Sequence, residues 1–190
     1  IEYARRDMAP YPMEGRSNFS LEHLKQEYPT YGSGDTRYPA FELEQADGSR
    51  VVNFTYKGHR IFPGKKELEG LPAVYVEKEN EADTLEVVLE DEMIRTKIIL
   101  SYTIFRKFPV ITRHARFECD LEEGVTLLNC MSGSLDLPDK EYEMVELAGA
   151  WNRERYPHTR ELGYGIQGVY SMRGCSSHQF NPFLMLRRKQ

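Results

Sequence analysis

The chain has 190 residues, enough for one large domain or two small ones with a sizeable core. Its 40% hydrophobic and 29% charged residues are the composition of a globular protein. A net charge of −5 argues against the basic face of a nucleic-acid binder, and no apolar run approaches the roughly 18 residues of a membrane-spanning helix.

In chain order, the first forty residues are irregular. Met8-Ala9-Pro10-Tyr11-Pro12-Met13 reads as an extended loop, because proline removes backbone donors from a ladder. Residues 20–28 read as a short helix, with Ser20 as its cap, His23 at the third position and Pro29 as its stop. Gly32-Ser33-Gly34-Asp35-Thr36-Arg37 reads as a tight turn. Asp35 has no partner carboxylate for acid catalysis, and the Lys-Ser/Thr of a phosphate loop is missing.

Period-two alternation then dominates. Strands are predicted over 51–56, after the turn signal Asp47-Gly48-Ser49, and over 84–90, 94–105, 110–118, 126–135, 142–147, 165–171 and 183–187. In 94–105 the residues Ile98, Leu100, Tyr102 and Ile104 fall on one face. In 110–118 Ile111, Arg113, Ala115 and Phe117 alternate with Thr112, His114 and Arg116. The separators, such as Gly64-Lys65-Lys66, Glu90-Asp91-Glu92 and Leu137-Pro138-Asp139, are short turns, and the acidic run 77–83 reads as a solvated loop. Many strands joined this way predict an all-β, antiparallel sandwich, forming a single domain over 1–190.

Few residues suggest chemistry. Cys119, Cys130 and Cys175 have no CxxC spacing, so they imply neither a disulfide framework nor a zinc site; free thiols suit a reducing cytoplasm. The five histidines, His23, His59, His114, His158 and His178, lack metal-ligand spacing, so no metal is expected. The Ser176-Ser177-His178 run invites a nucleophile reading, but no third group orients the base, and a turn that bonds its own backbone is expected. Trp151 is the only tryptophan. Within Gly149-Ala150-Trp151-Asn152-Arg153-Glu154-Arg155 it reads either as an exposed ring that stacks on a sugar face or as a core residue.

Several motifs, taken in order, resemble one family. Glu27-Tyr28-Pro29-Thr30-Tyr31-Gly32, then Gly34-Asp35-Thr36-Arg37-Tyr38-Pro39-Ala40, are similar to a stretch of the family 36 α-galactosidases. Gly70-Leu71-Pro72-Ala73-Val74-Tyr75-Val76-Glu77, Val110-Ile111-Thr112-Arg113, the Trp151 segment and the stretch from Arg173-Gly174 to Phe183 follow in the family's order. The resemblance covers nearly the whole chain. It implies the N-terminal β-supersandwich (galactose-mutarotase-like) that precedes a catalytic barrel, with the family's first strands lying ahead of Ile1.

The family's enzymes are similar retaining glycosidases, whose two carboxylates belong to the barrel; the barrel's motifs do not occur here, so this chain alone is expected to be inactive. No cofactor is implied. The partners implied are an α-galactoside, the C-terminal barrel of the same protein and, at full length, a homo-tetramer. Two positions carry substrate binding by resemblance. Asp7, in Asp7-Met8-Ala9-Pro10-Tyr11-Pro12, aligns with an aspartate loop that reaches the galactose pocket. Trp151 matches a tryptophan that lines the pocket from a neighbouring subunit. A free-standing carbohydrate-binding module and a small sandwich enzyme of the mutarotase kind are the rival readings.

Overall fold

The computed structural model of the chain describes residues 2–3, 24–31, 37–71, 73–138, 141–173 and 177–189. The strands among them are β1 (Glu2–Tyr3), β2 (Phe41–Glu44), β3 (Thr55–Pro63), β4 (Ala82–Asp91), β5 (Thr96–Phe105), β6 (Ile111–Cys119), β7 (Thr126–Cys130), β8 (Tyr142–Ala150), β9 (Arg153–Glu161), β10 (Gly165–Ile166) and β11 (Phe180–Arg188). All strand pairs are antiparallel, as the alternation predicts. The sheet orders are β3-β4-β5-β6, β2-β7, β11-β8-β9 and β1-β10. The chain divides into two compact units. One is Ser20–Asp136; the other combines Ile1–Phe19 with Leu137–Gln190.

In the Ser20–Asp136 unit, the β3-β6 meander owes its core to register. Leu85, Tyr102 and Arg113 form one cross-strand row, Val87, Leu100 and Ala115 a second, and Leu89, Ile98 and Phe117 a third. Phe41 of β2 lies against these rows. Its ring stacks on Tyr28 at 5.3 Å and meets Phe54 and Phe117 at 5.5 Å. Phe41, Leu43 and Ile98 are fully buried. Burial of such side chains stabilises by about 1.5–3 kcal/mol each.

The opposite face of the meander is mixed, with Val88 and Ile99 in one of its rows. Arg60, Glu86, Ser101 and His114 form one row across its four strands, and Glu86 and Ser101 are buried. Glu86 is paired with Arg60 and Lys66. In the next row the Thr84 hydroxyl donates to the Gly64 carbonyl at 2.6 Å and lies 2.8 Å from the Thr103 hydroxyl.

The helix expected over 20–28 does not form in its described part, 24–28. Its backbone groups go to tertiary partners instead. The Gln26 N–H donates to the Asp136 carboxylate at 2.9 Å, the Leu24 carbonyl accepts from Arg37, and the Tyr28 hydroxyl donates to the Met131 carbonyl at 2.6 Å. The guanidinium of Arg113 lies over the Tyr28 and Tyr102 rings, at 5.5 and 5.1 Å, and donates to the Glu27 carbonyl. A helix would withdraw these groups from the core.

Strand ends also move for identifiable reasons. The segment expected over 51–56 begins as a strand only at Thr55, because the Asn53 N–H donates to the Asp91 carboxylate at 2.6 Å. The strand expected over 126–135 stops at Cys130, where the Met131 N–H turns to the Ala40 carbonyl at 2.7 Å. Over 165–171 only Gly165–Ile166 is strand; the Gln167 side chain folds back on the Gly163 and Gly165 carbonyls. The predicted acidic loop contains a 3-10 turn, Glu79–Glu81, and its last two residues already belong to β4.

In the other unit, β8 is the centre of a three-stranded sheet. Met144, Val145 and Glu146 are consecutive and all buried, so both faces of its middle are covered. Arg160 of β9 pairs with Glu146, and Arg187 of β11 with Glu143 at 2.8 Å. β9, for which no strand was predicted, is a nine-residue strand exposed along its whole length.

Candidate functional site

The β8–β9 hairpin turns at Trp151 and Asn152, between the paired residues Ala150 and Arg153. Asn152 takes a left-handed conformation, φ 63°, which asparagine tolerates better than most residues. Its N–H donates to the Glu154 carboxylate at 2.8 Å. Arg155, φ 62°, follows in the same arm, and the register shifts between Ala148 and Ala150, so the tip is bulged.

Gly149 is fixed by close approach. A Cβ there would overlap the Arg153 carbonyl oxygen, and its N–H donates to the Gln179 carbonyl at 3.2 Å. The local sequence therefore encodes a tight tip whose next residue, Trp151, is left 81% exposed. The ring is exposed and is not a core residue. An exposed indole offers an apolar face of the kind on which a sugar ring stacks, and the strand that follows it carries Arg153 and Arg155 as exposed donors.

The other sequence candidates fall differently. Asp7, Asp35, Ser176 and Cys175 lie outside the described residues. The Ser177 hydroxyl accepts from the Phe180 N–H at 3.4 Å, the backbone-bonded turn expected near His178. Cys119 and Cys130 are free and exposed. Among the described residues no group of three His, Cys, Asp or Glu side chains is placed to hold a metal ion, and no helix is long and apolar enough to cross a membrane.

Two features were not foreseen. A cavity of about 700 Å³ opens on the core face of the meander, lined by Tyr28, Phe41, Phe54, Val87, Leu100 and Tyr102, with Glu27 and Asn53 among its polar residues. The Tyr102 hydroxyl donates to Glu27 at 2.8 Å, and burial together with that carboxylate pushes its pKa up to about 12. Among the described residues Glu27 is the only carboxylate lining this cavity, whereas a retaining glycosidase needs two about 5 Å apart.

The second feature is the polar row of Arg60, Glu86, Ser101 and His114. It brings a His and a Glu to one face, as a mutarotase would need. Burial alone would raise the Glu86 pKa, but Arg60 and Lys66 bring it below the ordinary carboxylate value. Burial, then the nearby Lys65, lowers that of His114. Glu86 is thus a carboxylate already held by two cations. Only strand register reveals this row, and alternation alone does not give register.

The model of the glycosyl hydrolase family 36 N-terminal domain matches residues 2–190. Alpha-galactosidase AgaA of Geobacillus stearothermophilus is 48% identical over 184 residues, which are 97% of this chain and 25% of that protein. Alpha-galactosidase Mel36A of Lactobacillus acidophilus is 39% identical over 88% of this chain and 23% of its own length. The crystal structure of alpha-galactosidase AgaB from Geobacillus stearothermophilus superposes with a TM-score of 0.88 at 48% identity, covering 97% of this chain and 26% of that one. A variant of AgaA crystallised in complex with raffinose gives 0.87 at 47% identity, over 98% of this chain and 26% of that one. The chain thus spans about a quarter of the length of these relatives.

Proposed function

We propose, from the fact that this chain belongs to the glycosyl hydrolase family 36 N-terminal domain, that it serves as the non-catalytic N-terminal domain of an α-galactosidase acting on terminal α-galactosides. In this reading residues 1–190 work as one domain that supports the catalytic barrel of the same polypeptide. The domain contributes to homo-tetramer contacts in a cytoplasmic enzyme, and no cofactor takes part. Trp151 forms part of the rim of the galactose pocket and covers the apolar face of the sugar, while Asp7 accepts its hydroxyl hydrogen bonds.

The observation that carries the reading is the hairpin tip. A family member spends a Gly, an Asn and a Glu on a tight hairpin tip that leaves its sole tryptophan 81% exposed. The relatives AgaA and AgaB are α-galactosidases, and structures of AgaA variants contain raffinose or stachyose.

The test is a chromogenic α-galactoside assay of the 190-residue chain beside a galactose titration followed by Trp151 fluorescence. No turnover and little binding are expected from the chain alone. In the full-length enzyme Trp151→Ala is expected to raise KM about fivefold, since sugar stacking of this kind is worth about 1 kcal/mol. Turnover by the chain alone would sink the reading.

One observation favours a second reading, the free-standing sugar-binding module. Tyr156, Tyr164 and Tyr170, in the same unit as Trp151, are also exposed. Saturable quenching of Trp151 by galactose in the isolated chain, without turnover, would select it.

A further inference from the structure

Among the described residues Arg95, Glu141, Asn152 and Arg155 take a positive φ without being glycine. Arg95 lies in the β4–β5 turn, Glu141 just ahead of β8 and Asn152 in the β8–β9 turn. Arg155, φ 62°, is the only one of them inside a strand. The register shows how it is accommodated. Ala148 pairs with Tyr156 and Ala150 with Arg153, so Gly149 alone faces both Glu154 and Arg155. A left-handed residue in a bulge is most often glycine, because a side chain there crowds its own backbone. This chain has its glycine on the short side of the bulge and an arginine on the long side. Nothing among the described residues offsets that strain: the guanidiniums of Arg153 and Arg155 are exposed and make no hydrogen bond, ion pair or ring contact. Glu154, the carboxylate between them, accepts from the Asn152 N–H instead, whereas Arg160, further along β9, pairs with Glu146. A strained residue whose side chain is unused within its own chain points to a contact outside it.

We propose that Arg155 is a specificity-determining residue that donates to the sugar on the leaving-group side of the scissile bond, so that the hairpin tip selects α-galactosides built of several sugars. The inference rests on the reading that Trp151 lies on the rim of the galactose pocket. In that reading the galactose already has the indole on its apolar face and Asp7 on its hydroxyls. Arg155 stands two residues further from the tip than Arg153, roughly 7 Å along the strand, and so faces what lies beyond the first ring. A guanidinium carries five N–H donors in a rigid plane, and neighbouring hydroxyl oxygens of a sugar accept from two of them at once. The positive charge strengthens those bonds. A phenyl leaving group has no such pair of oxygens.

Steady-state release of galactose by the full-length polypeptide tests it, with raffinose and phenyl α-galactoside as the two substrates. Arg155→Gly removes the donors and supplies the residue that the backbone favours. It is expected to raise KM for raffinose relative to KM for phenyl α-galactoside about tenfold, while the melting temperature holds or rises. Arg155→Lys keeps the charge without the planar fork and should recover only part of that ratio. An unchanged ratio in the glycine variant would overturn the proposal. A melting temperature lower by about 5 °C or more would overturn it too, by making Arg155 a structural residue. Failure of the rim reading is distinct, because Trp151→Ala would then leave KM for both substrates unchanged. If Trp151→Ala raises both while Arg155→Gly shifts no ratio, the rim reading stands and only this inference falls.

Discussion

The β4–β5 and β8–β9 hairpins are the same kind of element serving opposite ends. The first pairs without interruption from Ala82 with Phe105 to Asp91 with Thr96, carries one charged residue on β5, Lys97, and buries Ile98, Ile99 and Leu100. The second is bulged near its tip, has charges on both faces of β9 and buries nothing along that strand. A hairpin that covers both faces holds its unit together. One that leaves an arm bare presents residues to something else, and that difference can be measured.

The largest test of it is Phe41→Ala against Tyr156→Ala. Phe41 meets three aromatic rings in the core, whereas Tyr156 is 58% exposed on β9. Urea unfolding followed by far-UV circular dichroism should show a loss of about 3–5 kcal/mol for the first and under about 0.5 kcal/mol for the second. Equal losses would break the comparison, because β9 would then be part of a core.

The polar row of the meander sharpens it through pH. Glu86 is buried, and its pKa is lowered against the effect of burial by Arg60 and Lys66. A depressed carboxylate contributes stability that is present above its unfolded pKa, about 4.3, and is lost as pH falls through the folded value. Burial, then Lys65, lowers the pKa of His114 against the pull of Glu86. Its unfolded form takes up a proton first, so stability declines as pH falls below about 6.5 toward the lower folded value. Glu86→Gln is expected to cost about 2 kcal/mol at pH 7 and to flatten the loss below pH about 4.3. His114→Gln should flatten only the step at higher pH. Melting curves from pH 3 to 8 read both, and an unchanged profile in either variant would contradict the assignment.

These tests also mark what the sequence could disclose. Alternation located β4, β5 and β6 nearly to the residue, because one face of each is apolar. β9 escaped because alternation reports a buried face, and Arg153–Glu161 has none. β2, Phe41–Glu44, does alternate, but four residues behind Pro39 are too few to register as a strand. The expected helix failed because Tyr28, Gln26 and Leu24 serve partners about a hundred residues away or across a loop, contacts that no local window contains. At the candidate site, the residues around Trp151 were legible and its exposure was not. Gly149 and Asn152 have their meaning only once the two arms of the hairpin are paired.

The smallest expected effect is the most specific to the hairpin tip. Among the described residues only the Asn152 N–H bond to Glu154 holds the left-handed residue beside Trp151 by a side chain, and both groups are at the surface. Glu154→Ala should therefore change global stability by less than about 0.5 kcal/mol. It should also release the tip, so that the time-resolved fluorescence anisotropy of Trp151 decays faster. Since Trp151 is the sole tryptophan, the signal is unambiguous. Glu154→Gln keeps an acceptor oxygen at the same reach and should restore the slow decay. If the alanine variant leaves the anisotropy unchanged, the turn itself holds the indole, through Gly149 and the bulge, and Glu154 is only a surface charge. If both variants speed the decay, the bond requires a full negative charge.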